Sequence, residues 1–348
     1  MILIALLPLQ NLYQRGERPL CTDSSYITEQ DLLRICDLTV EYRTIEGVVH
    51  AVNGLNLSIK NGKSLGLVGE TGAGKTTTAL SIMKLVSSPP GATTSGEIFY
   101  QGVDLRKQSE REMQKLRGNQ ISMIFQNPMA SLNPVQTIGA QIIEVIRRHQ
   151  KLSKKDAHKR AEEMLQMVGI PESRISEYPY EFSGGMQQRV SIAIALACQP
   201  KLLIADEPTT ALDVTIQAQV LELMKTLKKD FGSSLLLITH DFGLVAELCD
   251  YVAVMYAGTV VESGSLEDIF IRPKHPYTLG LFQSIPRLDE SVERLTPISG
   301  LSPDPKKLPS GCPFHPRCPY RMSMCEQQSP PWWKKDEHCV TCWRCNCE

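Results

Sequence analysis

The chain has 348 residues, with 37 Lys and Arg against 38 Asp and Glu, for a formal charge of −1. Hydrophobic residues make up 42% and charged residues 22%, ordinary values for a globular protein able to bury a sizeable core. The balanced charge argues against a dedicated nucleic-acid binder, and no apolar run reaches the ~18 residues that a bilayer span needs. One value stands out: of 11 cysteines, seven lie between Cys312 and Cys347.

Met1–Leu9, MILIALLPL, is apolar but too short to cross a membrane, and it lacks the basic region and cleavage site of a secretory signal. With the polar stretch up to residue 31 it reads as a leader and linker, with a membrane-surface anchor as the weaker alternative. From Leu32 the pattern is strand-like, LLRICDLTVEYRT and then VVHAVNGLNLSIKNGKSLGLVG, punctuated by Asn-Gly turn signals. A Gly-rich turn at 69–74 opens a helix through TTTALSIMKLV, and QISMIF is a strand that ends at Gln126. Two helical stretches follow, IGAQIIEVIRRHQ and KKDAHKRAEEMLQMVGI, the second closed by Gly169 and Pro171. After Ser183–Gly185 come a helix (RVSIAIALAC), an apolar strand (LLIAD), a long helix (VTIQAQVLELMKTLKKDF) and another strand (SLLLITH).

Strands alternating with helices predict an α/β fold, a mostly parallel sheet covered on both faces. Beyond about residue 270 prolines recur at 273, 276, 286, 297, 303, 305 and 309, and the boundary of the main domain is set there. The expected division is 1–31, 32–270 and 271–348.

Gly69-Glu70-Thr71-Gly72-Ala73-Gly74-Lys75-Thr76 fits G-x-x-x-x-G-K-[ST]. Its glycines let backbone N–H groups turn inward around phosphates, and the following helix N-terminus adds a favourable dipole. Lys75 would reach the β- and γ-phosphates, and the Thr76 hydroxyl would ligate Mg²⁺. Average composition gives the pattern a chance of roughly 4 × 10⁻⁵ per position, about 1% for a chain of this length. Its place between a strand and a helix lowers that further. The strand LLIAD delivers Asp206 beside the magnesium shell, and Glu207, pointing the other way on an extended chain, would face an attacking water. His240, ending a second apolar strand, is a candidate contact to the γ-phosphate, although a strand-end histidine alone is more often structural.

Together these residues resemble the nucleotide-binding subunits of ABC transporters over roughly 32–265. Ser183-Gly184-Gly185-Met186-Gln187-Gln188 is similar to the family signature, with Met186 where many members carry Gln. Gln126 falls at the Q-loop glutamine, Asp213 at the D-loop and His240 at the switch histidine. The resemblance implies a P-loop NTPase core of RecA-like type, with an antiparallel β subdomain and a helical subdomain at about 128–185. It further implies an adenine stacked on Tyr42, ATP held by residues 69–77 including Thr71, Ala73 and Thr77, and Mg²⁺ held by Thr76, Gln126 and Asp206. Glu207, His240 and Gln126 are the implied catalytic residues. Phosphate loop and signature come from different subunits, so the resemblance implies pairing with a second ABC ATPase subunit, identical or related.

In the tail, clustered cysteines are compatible with structural Zn²⁺, an iron–sulfur cluster or disulfides. An ATPase fed by cytosolic ATP sits in a reducing compartment, which disfavours disulfides, and zinc-ribbon spacing is absent. The four cysteines elsewhere read as structural thiols. RPKHPYTLGLFQSIPRL followed by GCPFHPRCP is similar to the C-terminal extension of dipeptide and oligopeptide importer ATPases. That resemblance implies a [4Fe–4S] cluster on Cys312, Cys318, Cys325 and a fourth cysteine. Cys342 fits the pattern H-x-V-x-C-W, and Cys339, Cys345 and Cys347 are the alternatives. The implied function is an ATPase energising peptide uptake from the cytoplasmic face of the membrane, with two permease subunits, an external solute-binding protein and no nucleic acid. An importer of nickel or another small solute is the first alternative. A soluble ABC ATPase acting on ribosomes or DNA is the second.

Overall fold

A computed structural model describes residues 31–209, 214–284 and 297–346. Apart from Asp31, the expected leader and linker lie outside the described residues. The chain enters through a long hairpin, β1 (Asp31–Thr44) and β2 (Gly47–Lys60), and then crosses to β3 (Ser64–Val68) and helix α1 (Lys75–Ile82). Strands β4 (Gly91–Tyr100) and β5 (Val103–Asp104) join the hairpin in an antiparallel sheet of order β2-β1-β4-β5. α1 stops short of the expected end at Val86. Lys84 turns left-handed (φ 51°) and the Leu85 N–H closes on Leu80 O at 2.7 Å, an ending of the kind that satisfies orphan carbonyls before the Ser-Ser-Pro-Pro run.

Next come α2 (Glu110–Leu116), β6 (Ile121–Ile124) and a helical excursion of α3 (Pro128–Ser131), α4 (Ile138–His149) and α5 (Lys154–Met167). Ile138, Ile142 and Ile146 stack one turn apart on the buried side of α4, against Ala157, Ala161, Met164 and Leu165 of α5. The chain returns through α6 (Gly184–Leu196), β7 (Leu202–Asp206), α7 (Val214–Phe231), β8 (Ser234–Thr239), α8 (Phe242–Leu248), β9 (Tyr251–Tyr256) and β10 (Thr259–Ser265). Strands β9-β3-β8-β7-β6 are parallel, as the alternation of strands and helices requires. Period-two alternation explains the two cores. Leu203, Ala205, Leu235 and Leu237 face one side of the sheet, and Leu202, Ile204, Leu236 and Ile238 face the other, all buried.

The segment after 270 packs on this same body. After α9 (Leu266–Phe270) and α10 (Pro276–Gln283), it continues through α11 (Ser323–Gln327), β11 (Trp332–Lys335) and β12 (His338–Thr341). β12 pairs with β10 and extends the large sheet to the order β11-β12-β10-β9-β3-β8-β7-β6. Glu262 on β10, fully buried, fixes the join. It accepts from the backbone N–H of Lys274 (2.7 Å) and His275 (3.1 Å), and its other close partner is His338 Nε2 (2.8 Å). Burial pushes His275 down to about 4, only partly offset by Glu262, and its Nδ1 caps α10 at the Tyr277 N–H (3.1 Å). Among the scattered cysteines, Cys198 and Cys249 are buried free thiols, whereas Cys36 is disulfide-bonded, unlike the free thiol expected of it.

Candidate functional site

The loop 69–74 leaves β3 and enters α1 with Gly69, Gly72 and Gly74 at φ 157°, 81° and 101°. A Cβ on Gly69 would overlap the Met255 carbonyl oxygen, and one on Gly74 would overlap that of Ala51, whereas Gly72 faces open space. Two of the three glycines are therefore needed for close backbone approach and the third for its left-handed backbone. Lys75 is 6% exposed, and its Nζ donates to the carbonyls of Gly69 (2.7 Å) and Glu70 (3.0 Å). Burial lowers the Lys75 pKa, against the pull of Glu207, Asp206 and Glu70.

Asp206 ends β7 almost fully buried and accepts from Thr76 Oγ1 at 3.2 Å. Burial raises its pKa, and the neighbouring Glu207 adds to this, while Thr76 and Lys75 oppose it. Glu207 holds a left-handed backbone (φ 46°) whose N–H donates to Ile238 O at the end of β8 (2.8 Å). That conformation costs a non-glycine residue about 1–3 kcal/mol and is found where the surroundings over-determine it. One Glu207 oxygen accepts from Gln126 Nε2 (2.8 Å), and the other lies 3.4 Å from His240 Nδ1. Gln126, Glu207 and His240 thus form one polar row beside Thr76 and Asp206. The Gln126 amide is directed to Glu207.

Tyr42 on β1 reaches the start of α1, its hydroxyl 3.4 Å from Thr77 Oγ1. Ser183 caps α6 by accepting from the Met186 N–H (3.4 Å), and both Ser183 and Gly184 are exposed. Gly185 packs where a Cβ would press on Ile216. The Met186 sulfur lies 3.5 Å from Arg174. Asp213 lies outside the described residues.

Sequence reasoning did not find the groups that hold Glu70. Its side chain turns away from the phosphate loop, to Arg317 (2.8 and 3.1 Å) and Ser302 (2.7 Å), and its N–H donates to the Tyr277 hydroxyl (3.0 Å). Burial works against ionisation of Glu70, but Arg317 and Ser302 outweigh it and its pKa falls below the ordinary value. No local pattern links residues 247 apart in sequence, so only the fold reveals this pair.

In the tail, Cys312, Cys318, Cys325 and Cys342 line one cavity, with Phe314 and Trp343 among its walls. Cys339 does not line it and bonds Ser263, and Cys345 stays outside it while hydrogen-bonding Cys342. Cys347 lies outside the described residues. Burial pushes Cys312 up to about 11 and Cys318 upward, whereas the hydrogen bond from Cys345 brings Cys342 down to about 7 against its burial. Among the described residues, no group of three or more His, Cys, Asp or Glu side chains is placed to hold a metal ion.

Comparison with known proteins identifies the family. Residues 52–210 match the ABC transporter family, and residues 261–325 match the C-terminal region of oligopeptide/dipeptide transporters. The chain is 52% identical to the oligopeptide transport ATP-binding protein OppD of Bacillus subtilis over 90% of its own length and 88% of that protein. It is 49% identical to the dipeptide transport ATP-binding protein DppD of the same organism, over 90% and 95%. The OppD protein of Escherichia coli is 48% identical, over 86% and 89%. A dimeric post-hydrolysis structure of the ATP-binding cassette MJ0796, bound to ADP and phosphate, superposes with a TM-score of 0.61 at 29% identity, over 67% of this chain and 98% of that one.

The tight approaches predict unequal glycines. Gly74→Ala is expected to weaken MgATP binding at least about tenfold in an equilibrium titration, because loop and hairpin must part. Gly72→Ala, which meets open space, carries only the left-handed penalty of roughly 1–2 kcal/mol and should bind better than Gly74→Ala.

Proposed function

The chain belongs to the ATP-binding subunits of ABC transporters, in the oligopeptide and dipeptide branch, and from that premise we propose how it hydrolyses ATP to energise uptake of short peptides. The observation that carries the reading is the meeting of Lys75 and Thr76 at the phosphate loop with Asp206 and Glu207 at the end of β7. The match of residues 261–325 to the oligopeptide/dipeptide C-terminal region favours peptides over nickel or other solutes, and transport over ribosome or DNA work.

In this reading the N–H groups of residues 70–76 cradle the phosphates, and Lys75 exchanges its two loop carbonyls for β- and γ-phosphate oxygens. Adenine stacks on Tyr42. Thr76 and Asp206, with Gln126 as a third contact, would hold Mg²⁺, which would supply neutralisation of the phosphate charge. Burial disfavours the charges of both Lys75 and Asp206, so a phosphate anion beside the lysine and a cation beside the aspartate would each offset one of these costs. Glu207 orients and polarises the attacking water, held by Gln126 on one oxygen and His240 on the other. His240, 67% exposed at its side chain, swings to the γ-phosphate.

The exposed Ser183 and Gly184 at the start of α6 fit a signature that serves a second ATPase subunit, identical or related, with Asp213 at the joint. ATP would close that pair and phosphate release open it, a ligand-biased two-state element that drives two permease subunits fed by an external solute-binding protein. The chain works from the cytoplasmic face as a peripheral subunit. Among the described residues, no helix is long and apolar enough to cross a membrane.

A [4Fe–4S] cluster on Cys312, Cys318, Cys325 and Cys342 fits the tail cavity. Each cysteine of such a cluster binds a different iron, so the four surround a cavity without converging on one ion. Held by these four thiolates, the cluster would cross-link the Pro-rich loops, with no substrate redox step assigned to it. Cys345, donating to Cys342, supports the thiolate there.

Glu207→Gln is expected to bind MgATP like the parent while its turnover falls at least about a hundredfold, a loss of ~2.7 kcal/mol or more in transition-state stabilisation, as a phosphate-release assay would show. Full turnover in that variant contradicts the assignment. Lys75→Ala should instead lose binding. Anaerobically purified protein should be brown and carry four irons per chain by elemental assay, whereas colourless protein with stoichiometric zinc would rule the cluster out.

A further inference from the structure

We propose that Arg317 is a positioning residue of the nucleotide site. By clamping Glu70 it fixes the phosphate loop and makes the C-terminal extension one wall of that site. The proposal rests on the ATPase reading above and adds to it a residue far from the motif.

Arg317 donates both arms of its guanidinium to the two oxygens of Glu70, at 2.8 and 3.1 Å. Only 7% of its side chain is exposed, and its remaining donors reach Ser299 O (3.2 Å) and the Tyr256 hydroxyl (3.4 Å). A buried two-armed pair of this kind is both strong and directional. The same glutamate accepts from Ser302, and its N–H is held by Tyr277. Side chains at 277, 302 and 317 therefore hold the second residue of the phosphate loop, and all three belong to the segment after 270. Glu70 also lends its carbonyl to Lys75 Nζ (3.0 Å), so the clamped residue is the one that parks the phosphate-binding lysine.

Two consequences follow for binding. A loop held from outside loses less freedom when the triphosphate arrives. A glutamate at this position would also repel a polyanion if its carboxylate swung toward the phosphates, and Arg317 both neutralises it and turns it away. Nothing in G-x-x-x-x-G-K-[ST] demands an acid at 70, which places the requirement for Arg317 in this chain's own choice of residue.

The test uses the full chain and MgATP itself, comparing binding affinity and steady-state KM and kcat for Arg317→Ala, Arg317→Lys, Glu70→Gln and the double variant Arg317→Ala/Glu70→Gln. Arg317→Ala should weaken MgATP binding about tenfold, raising KM with kcat within about twofold, the pattern of lost ground-state positioning. Arg317→Lys, which keeps the charge without the fork, should lose about threefold. The double variant should bind within about twofold of Glu70→Gln alone, because the repelling charge is gone and the two sites act as one.

Parental affinity in Arg317→Ala, or losses that multiply in the double variant, would overturn the proposal. Should Arg317→Ala fail to fold, Arg317→Lys decides: about threefold weaker binding supports the clamp and parental binding refutes it. If the parent itself fails to bind MgATP, or Lys75→Ala binds it equally well, the ATPase reading fails, an outcome separate from those above.

Discussion

The phosphate loop has to satisfy two demands that conflict. Its backbone must expose N–H groups inward, which needs left-handed glycines, and a glycine-rich chain is the most costly kind to hold still. The structure resolves the conflict by wedging the loop. Gly69 sits against the carbonyl of Met255 on β9, Gly74 against that of Ala51 on β2, and Glu70 is gripped by Tyr277, Ser302 and Arg317. The large sheet and the antiparallel hairpin sheet each supply one contact and the segment after 270 supplies three residues, so all three units converge on six residues of loop.

The carboxylates meet a second constraint. Parallel strands β7 and β8 end side by side, and their C-terminal edge is where an open α/β sheet presents its ligands. Asp206 is delivered by β7 into a buried position, and the chain must then turn at once to leave Glu207 facing the other way. The left-handed backbone at Glu207, tied to Ile238 O, makes that turn. The two carboxylates are therefore separated by a left-handed turn at Glu207 and not, as expected from the residues alone, by the alternation of an extended chain.

Much of this was legible in the residues themselves. The phosphate loop, the strand before it and the alternation of strands and helices are encoded within windows of about ten residues, where hydrophobic period and glycine placement act locally. Asp206 and Glu207 were readable because charge at the end of an apolar strand is conspicuous. What escaped was long-range. Arg317 lies beside Cys318 in a segment whose prolines and cysteines drew attention to themselves, and nothing near Arg317 reports its partner at Glu70. Glu262, reading as an ordinary strand residue, is a fully buried acceptor whose donors arrive from Lys274, His275 and His338. Composition shifts near 270 marked a change in character, but a strand such as His338–Thr341 can rejoin a sheet from across that change.

The extension therefore does more than decorate an ATPase. The walls of the cysteine cavity include Phe314, which packs edge-on to Tyr256 at a ring separation of 5.2 Å, and Tyr256 in turn contacts Arg317. Cavity, aromatic group and clamp form a continuous path to the phosphate loop. If the clamp holds the loop, loop and extension answer the nucleotide as one unit. Hydrogen–deuterium exchange of the full chain with and without MgATP tests it most directly. Slowed exchange at residues 69–76 accompanied by slowed exchange at 299–317 is the predicted result, and protection confined to the loop with the extension unchanged would contradict it.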